Sequence, residues 1–207
     1  MAAYIAARTE FFDNRLLQAC ELGCQQVVIV GAGYDGRSLR FRQPGVTFYE
    51  VDHPTTQADK LARLGEVAAK AEDVRFVAAD IRRDSLVEAL TMAGHDRRAA
   101  THFMCEGLTS YLPVALLSNL LRSLAFQAAP PSTIAIDFVA LARDRSTASR
   151  LLLRLVRAGT SLMGERMVTL VTPEEAVSLL RDTGWHDVEV TRPGVSMPVA
   201  LTTAVIR

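Results

Sequence analysis

Cysteine is scarce in this chain: Cys20, Cys24 and Cys105 are too few, and too apolar in setting, for a disulfide framework or a zinc site, although Cys20 and Cys24 share a helix face. Buried thiols are the expected reading. Lysine is scarcer still. Lys60 and Lys70 are the whole supply, so arginine carries nearly all of the positive charge. The 23 basic residues balance 23 acidic ones and are spread along the chain, which excludes an obvious basic face for nucleic acid. His53, His95, His102 and His186 are scattered without metal-ligand spacing such as H-E-x-x-H, so no metal is expected. No apolar run approaches the length of a membrane span, and the first residues lack a basic region followed by an apolar core and a small-residue cleavage site. The expectation is a cytoplasmic protein without a membrane partner.

What is present is regular alternation. A length of 207 residues suits one domain spanning 1–207 that buries roughly 70% of its unfolded surface. Ile5, Phe12, Leu16, Leu17 and Cys20 recur at helical spacing, which predicts a helix over 3–22 stopped by Gly23. Strands are predicted at 27–30, 46–51, 74–79, 101–105 and 133–138. Helices fall between them: one opened by Pro54 and running to about Ala71, one near 84–93 with Asp84 as its cap, and one opened by Pro113 to about 127. Residues 143–168 are helical in propensity, mixed in polarity and interrupted by Gly159 and Gly164, and read as a helical cover. Thr172-Pro173-Glu174-Glu175 is a helix start, and Gly184 ends that helix before Trp185. Two last strands, 186–192 and 198–206, are joined without a crossover helix and so form an antiparallel hairpin. The expected fold is α/β: a Rossmann-like, doubly wound seven-stranded sheet, mostly parallel, with a C-terminal antiparallel hairpin.

The most informative segment is VVIVGAGYDGRSLRFRQPGVTFYEVD, residues 27–52. Val27 to Val30 suit a buried parallel strand. Gly31 and Gly33 let the backbone turn sharply and a ligand approach its N–H groups. Glu50 and Asp52 end the second strand, where a carboxylate accepts hydrogen bonds from both hydroxyls of a ribose. Gly31, Gly33 and Gly36 also spell G-x-G-x-x-G, so a dinucleotide fits as well as an S-adenosylmethionine-type ligand. The final hairpin favours the second, because nicotinamide dehydrogenases usually lack it and seven-stranded (class I) methyltransferases have it.

Taken together, AARTEFFD at 6–13, VVIVGAGYDGR at 27–37, FYEVDHP at 48–54, FVAAD at 76–80 and MCEGLTSYLP at 104–113 resemble the leucine carboxyl methyltransferase family over about the first 140 residues. Its bacterial members include S-adenosylmethionine-dependent enzymes and polyketide carboxyl O-methyltransferases. The resemblance implies S-adenosyl-L-methionine as cofactor and O-methyl transfer to a small-molecule acceptor, a polyketide or other carboxylic acid. It further implies that Gly31, with Gly33 in the same turn, lies against the methionine part. Arg8 would pair with the cofactor carboxylate, and Asp52, or else Glu50, would hold the ribose. Asp80 would accept from the adenine amino group while Ile81 packs on the ring. Glu106 would face the cofactor, toward its amino group, and Tyr111 would orient the acceptor.

A carboxylate acceptor is anionic at neutral pH and needs no general base, so alignment and removal of water would suffice. A hydroxyl acceptor would need a base, for which Glu106, His53 or Asp137 are the available residues. Arg143 or Arg145 in the cover could neutralise an anionic acceptor. Two other readings stand beside this one: a nicotinamide-dependent oxidoreductase, for which no Tyr-x-x-x-Lys pair is found, and a protein that binds S-adenosylmethionine without catalysis. Family members carry several tens of residues before the segment matching AARTEFFD, so the acceptor pocket is expected to be open, completed by another subunit of a homo-oligomer, or encoded upstream.

Overall fold

The computed structural model describes residues 2–69, 71–139, 168–191 and 199–207. The expected cover, with Arg143 and Arg145, and the connection between the last two strands therefore lie outside the described residues, apart from the cover's final position and the first residue of the connection.

Seven strands form one sheet: β1 (Gln26–Val30), β2 (Thr47–Asp52), β3 (Val74–Ala78), β4 (Thr101–Cys105), β5 (Thr133–Val139), β6 (His186–Thr191) and β7 (Val199–Val205). Their spatial order is β3-β2-β1-β4-β5-β7-β6. The first five are parallel; β7 runs antiparallel to β5 and to β6, inserting itself between them. β1 lies in the middle of the five parallel strands and is buried along its whole length, which is why its sequence is continuously apolar after Gln26 instead of alternating. The chain order reverses on either side of β1, between β2 and β4. Open α/β sheets bind ligands at such a switch point, outside the carboxyl ends of the strands.

Helices cover both faces. α1 (Ala2–Glu21) packs Phe12 and Leu16, both fully buried, against a core made by Val27, Ile29, Phe48 and Met104. Burying each such side chain contributes about 1.5–3 kcal/mol, enough to fix which face of α1 meets the sheet. The opposite face carries α5 (Leu86–Met92), α6 (Val114–Phe126) and the last helix, α7 (Pro173–Asp182). There Leu117, Leu121 and Trp185 pack on Phe103 and Ile134, and the Trp185 indole N–H donates to the Leu121 carbonyl at 3.2 Å. α7 begins where Thr172-Pro173-Glu174-Glu175 directs: Glu175 N donates to Thr172 Oγ1 at 3.2 Å, and Thr172 N to Glu175 Oε2 at 2.7 Å.

Two local expectations are corrected. The helix opened by Pro54 breaks into α3 (Pro54–Leu64) and α4 (Glu66–Ala69), because Gly65 takes φ +50°, a left-handed conformation that cannot continue a helix. α5 is capped by Ser85, whose hydroxyl accepts from Glu88 N at 3.3 Å; Asp84 turns back instead and accepts from Asp80 N at 2.8 Å. The remaining short helix, α2 (Arg37–Arg40), follows the glycine turn. A single 3-10 turn at Thr109–Tyr111 follows β4.

Candidate functional site

At the carboxyl edge of β1, β2, β3 and β4, two clefts meet at Gly31. The first, of about 280 Å³, is lined by Gly31, Asp52, Asp80, Ile81, Leu108 and Tyr111 among others. The second, of about 320 Å³, is lined by Arg8, Gly31, Asp35, Arg37 and Glu106 among others. One mixes apolar side chains, Val51, Ile81, Leu108 and Leu112, with Asp52, His53, Asp80 and Arg82. Its neighbour is dominated by charge.

Gly31 separates them because the backbone must turn there. Its φ is +68°, and a Cβ would lie 3.2 Å from Leu108 Cδ1, so a side chain would be strained and crowded at once. Gly31 N donates to the Val51 carbonyl at 2.8 Å, tying the turn to the end of β2. Asp52 completes that tie. Gly33 N donates to its Oδ2 at 2.5 Å and His53 N to its Oδ1 at 2.6 Å. Each oxygen keeps a free lone pair, so the carboxylate can still accept one bond per oxygen from a ligand. Gly33 lines neither cleft; its N–H serves by holding Asp52.

Asp80 opens the turn after β3, with Oδ1 accepting from Arg82 N at 3.0 Å, while Oδ2 stands 3.9 Å from both His53 Nε2 and Arg83 Nε. Ile81 and Tyr111 line the same cleft. His53 is taken up locally: it caps α3, accepting from Thr55 N at 3.3 Å.

Glu50 does not join this group. It is fully buried, accepts from the Ser38 hydroxyl and from Lys60 Nζ, the latter at 2.5 Å, and lines neither cleft. Burial pushes its carboxyl up, and the Lys60 ammonium and Ser38 hydroxyl pull it back. Lys60 Nζ also donates to the Asp35 carbonyl at 2.5 Å. Of the two acids in Glu50-Val51-Asp52, the first therefore braces the glycine turn from beneath and the second faces the cleft.

The second cleft rests on a network of ions. Arg37 is only 5% exposed, yet it reaches three carboxylates: Asp13 through Nε at 2.5 Å, and Asp35 and Glu106 through Nη1 at 2.7 and 2.6 Å. Arg8 Nε lies 2.8 Å from Glu106 Oε1, an ion pair without hydrogen-bond alignment, and its Nη1 lies 3.4 Å from Asp137 Oδ2. Arg40 adds a 3.2 Å contact to Asp13. Asp13, Asp35, Glu106 and Asp137 thus face Arg8, Arg37 and Arg40, one carboxylate more than there are guanidinium groups. Asp137 is held by Gly107 N at 2.8 Å, and burial pushes its carboxyl up to about 6 against the opposing pull of Arg8 and that N–H.

The sequence expectations for Arg8, Gly31, Asp52, Asp80, Ile81, Glu106 and Tyr111 are thus brought together along one edge. Arg37, Asp13, Asp35 and Lys60 were not anticipated. Only one local signal pointed to any of them: Asp35 Oδ1 accepts from Arg37 N at 2.8 Å, the two-residue pattern typical of an aspartate turn.

The model of the leucine carboxyl methyltransferase family matches residues 1–125. The chain belongs to that family. Among its curated relatives, one named "Putative S-adenosyl-L-methionine-dependent methyltransferase" from Saccharopolyspora erythraea is 35% identical over 145 residues, 70% of this chain and 50% of the relative. Another, from Mycobacterium tuberculosis, is 35% identical over 195 residues, 88% of this chain and 59% of the relative. The chain spans about half the length of the curated family relatives it matches. Among solved structures it resembles magnesium protoporphyrin IX methyltransferase from Synechocystis with bound SAH, at a TM-score of 0.64 and 16% identity over 98% of this chain and 84% of that one. Human N-acetylserotonin methyltransferase in complex with SAM gives 0.61 at 17% identity over 88% and 48%. At these identities the likeness establishes the fold, that of the class I methyltransferases.

Proposed function

We propose that this family member binds S-adenosyl-L-methionine along the two clefts and transfers its methyl group to the carboxylate of a small molecule, of polyketide-like or other organic-acid type. The observation that carries the reading is the contrast between the clefts on either side of Gly31: one where apolar side chains stand beside Asp52 and Asp80, and a charged one with a carboxylate in excess. A nucleoside joined to an amino acid has that same division. Asp52 would accept from the ribose hydroxyls, Asp80 from the adenine amino group with Ile81 against the ring, Glu106 from the ammonium, and Arg8 would donate to the carboxylate. When bound, the cofactor supplies a methyl group activated by its sulfonium charge.

A dinucleotide suits the same edge poorly. Its pyrophosphate would lie in a cleft where Arg8 and Arg37 are already paired with carboxylates, which leaves little unpaired positive charge to hold it. The carboxylate acceptor is favoured by the acids themselves. Among the described residues near the clefts, Glu106 is held between two arginines, Asp137 by Arg8 and Gly107 N, and His53 caps a helix. Each is already engaged in another contact, and a carboxylate acceptor has no proton to lose, so it needs no base. The protein's contribution is then alignment and exclusion of water.

The test is calorimetric titration with S-adenosylmethionine, S-adenosylhomocysteine and NAD, followed by methyl-labelled incubation with a panel of carboxylic acids. The expected outcome is binding of both adenosyl ligands and label that alkali releases as methanol, as from an ester. Binding of NAD alone would overturn the cofactor assignment. Label that withstands alkali would move the acceptor to a hydroxyl, and cofactor binding without turnover of any acid would favour a non-catalytic role.

A further inference from the structure

We propose that Arg37 is a positioning residue: it holds Glu106 in place for the amino-acid end of the cofactor, and through Asp13 it anchors that carboxylate to α1. The proposal rests on the cofactor reading above and assigns a task to a residue whose donors are nearly all engaged by protein groups. Four of the five N–H donors of Arg37 are spent on protein groups. Nε goes to Asp13, Nη1 to Asp35 and Glu106, and Nη2 makes a long 3.4 Å contact to the Thr9 carbonyl. With a single N–H left on Nη2, it has no second donor for a two-pronged bond to the cofactor's carboxylate, so its influence on binding passes chiefly through the acids it holds.

The elements it joins are those that frame the charged cleft. Asp13 and Thr9 belong to α1, Asp35 to the glycine turn, and Glu106 follows β4. No stretch of backbone links these groups directly, and Glu106 is a flexible side chain at a strand end. Left to itself, a glutamate loses rotamer freedom when it meets a ligand cation, which weakens the contact. Pinned on Oε2 by Arg37 at 2.6 Å and paired on Oε1 with Arg8, it is set before the ligand arrives. The planar fork of arginine can reach acids from different elements at once, where an ammonium acts as a single point. Phe12 lies under the Arg37 guanidinium, its ring centre 5.7 Å away, and closes the network from the core side.

Two ligands that share the adenosine half separate this role from general support of the fold. S-adenosylhomocysteine carries the amino-acid end; 5′-methylthioadenosine does not. Arg37→Lys is expected to lower affinity for S-adenosylhomocysteine by about tenfold, the order of one lost charged hydrogen bond, and to leave 5′-methylthioadenosine within about twofold. Combined with Glu106→Gln, it should add little beyond Glu106→Gln alone, because both changes remove one shared contact. Equal loss for both ligands, or additive losses in the double variant, would overturn the proposal. If Arg37→Lys fails to fold, Asp13→Asn, which releases the α1 anchor and leaves both cleft linings unchanged, carries the same selective expectation. A wild-type protein that binds neither ligand would instead refute the cofactor reading itself.

Discussion

Replacing Asp52 by alanine isolates the ligand-facing acid from the turn it also supports. The carboxylate has about four lone-pair directions. The turn takes two of them, from Gly33 N at 2.5 Å and His53 N at 2.6 Å, leaving one on each oxygen for the vicinal hydroxyls of a ribose. Hydrogen bonds to a charged group contribute about 1.5–3 kcal/mol, so Asp52→Ala should weaken S-adenosylhomocysteine by about 10- to 150-fold. The two N–H groups it releases sit at a half-buried turn where water can reach them, so the cost to stability should be small, about 1 kcal/mol. Asp52→Asn keeps one acceptor oxygen but turns its amide toward a backbone N–H, donor against donor, and should fall between wild type and alanine. The assay is calorimetric titration beside a thermal melt for each variant. An Asp52→Ala protein that binds S-adenosylhomocysteine within twofold of wild type would remove Asp52 from the site and with it the assignment of the cleft it lines to adenosine.

Glu50→Gln should give the opposite pattern, costing about 3 kcal/mol in denaturant melts because the buried Lys60 ammonium loses its charged partner, with a smaller effect on ligand affinity than Asp52→Ala. Gly31→Ala forces a side chain into the left-handed region, at about 1–2 kcal/mol, and against Leu108; urea titration should show that loss together with weakened binding of S-adenosylhomocysteine. Asp137 holds its proton more tightly folded than unfolded, its carboxyl rising from 3.8 to about 6. Its contribution therefore favours folding fully below about pH 4 and is lost as pH rises through about 6. The stability of wild type relative to Asp137→Asn, from melts across pH 4 to 7, should fall over that window by on the order of 3 kcal/mol, and a flat difference would refute the assignment.

Much of the architecture was legible because its causes are local. Four β-branched residues before Gly31 make a central strand wherever the chain buries both faces, and Thr172-Pro173-Glu174-Glu175 starts α7 with bonds that span three residues. Asp52, Asp80 and Glu106 could be named because they end or follow strands whose order sets one sheet edge, whereas Arg8, inside α1, was named from the family resemblance. Gly65 and Ser85 were missed within that local range: a single glycine cut a helix the pattern ran through, and Asp84 was captured by Asp80 N before it could serve as a cap.

What tertiary structure alone decided is the division of labour among charges. Glu50 and Asp52 share a strand and a face, and nothing nearby in sequence separates them. Lys60 and Ser38, brought in from α3 and α2, bury the first and leave the second for the cleft. Arg37 is one of many arginines on paper. It becomes the hinge of the charged cleft only because folding sets Asp13 and Glu106, 24 and 69 residues away in sequence, within bonding distance of the same guanidinium. Short-range hydrogen bonds and apolar runs write themselves into adjacent residues; Coulomb pairing acts between whatever the topology places side by side, so its outcome is settled only once the sheet is assembled.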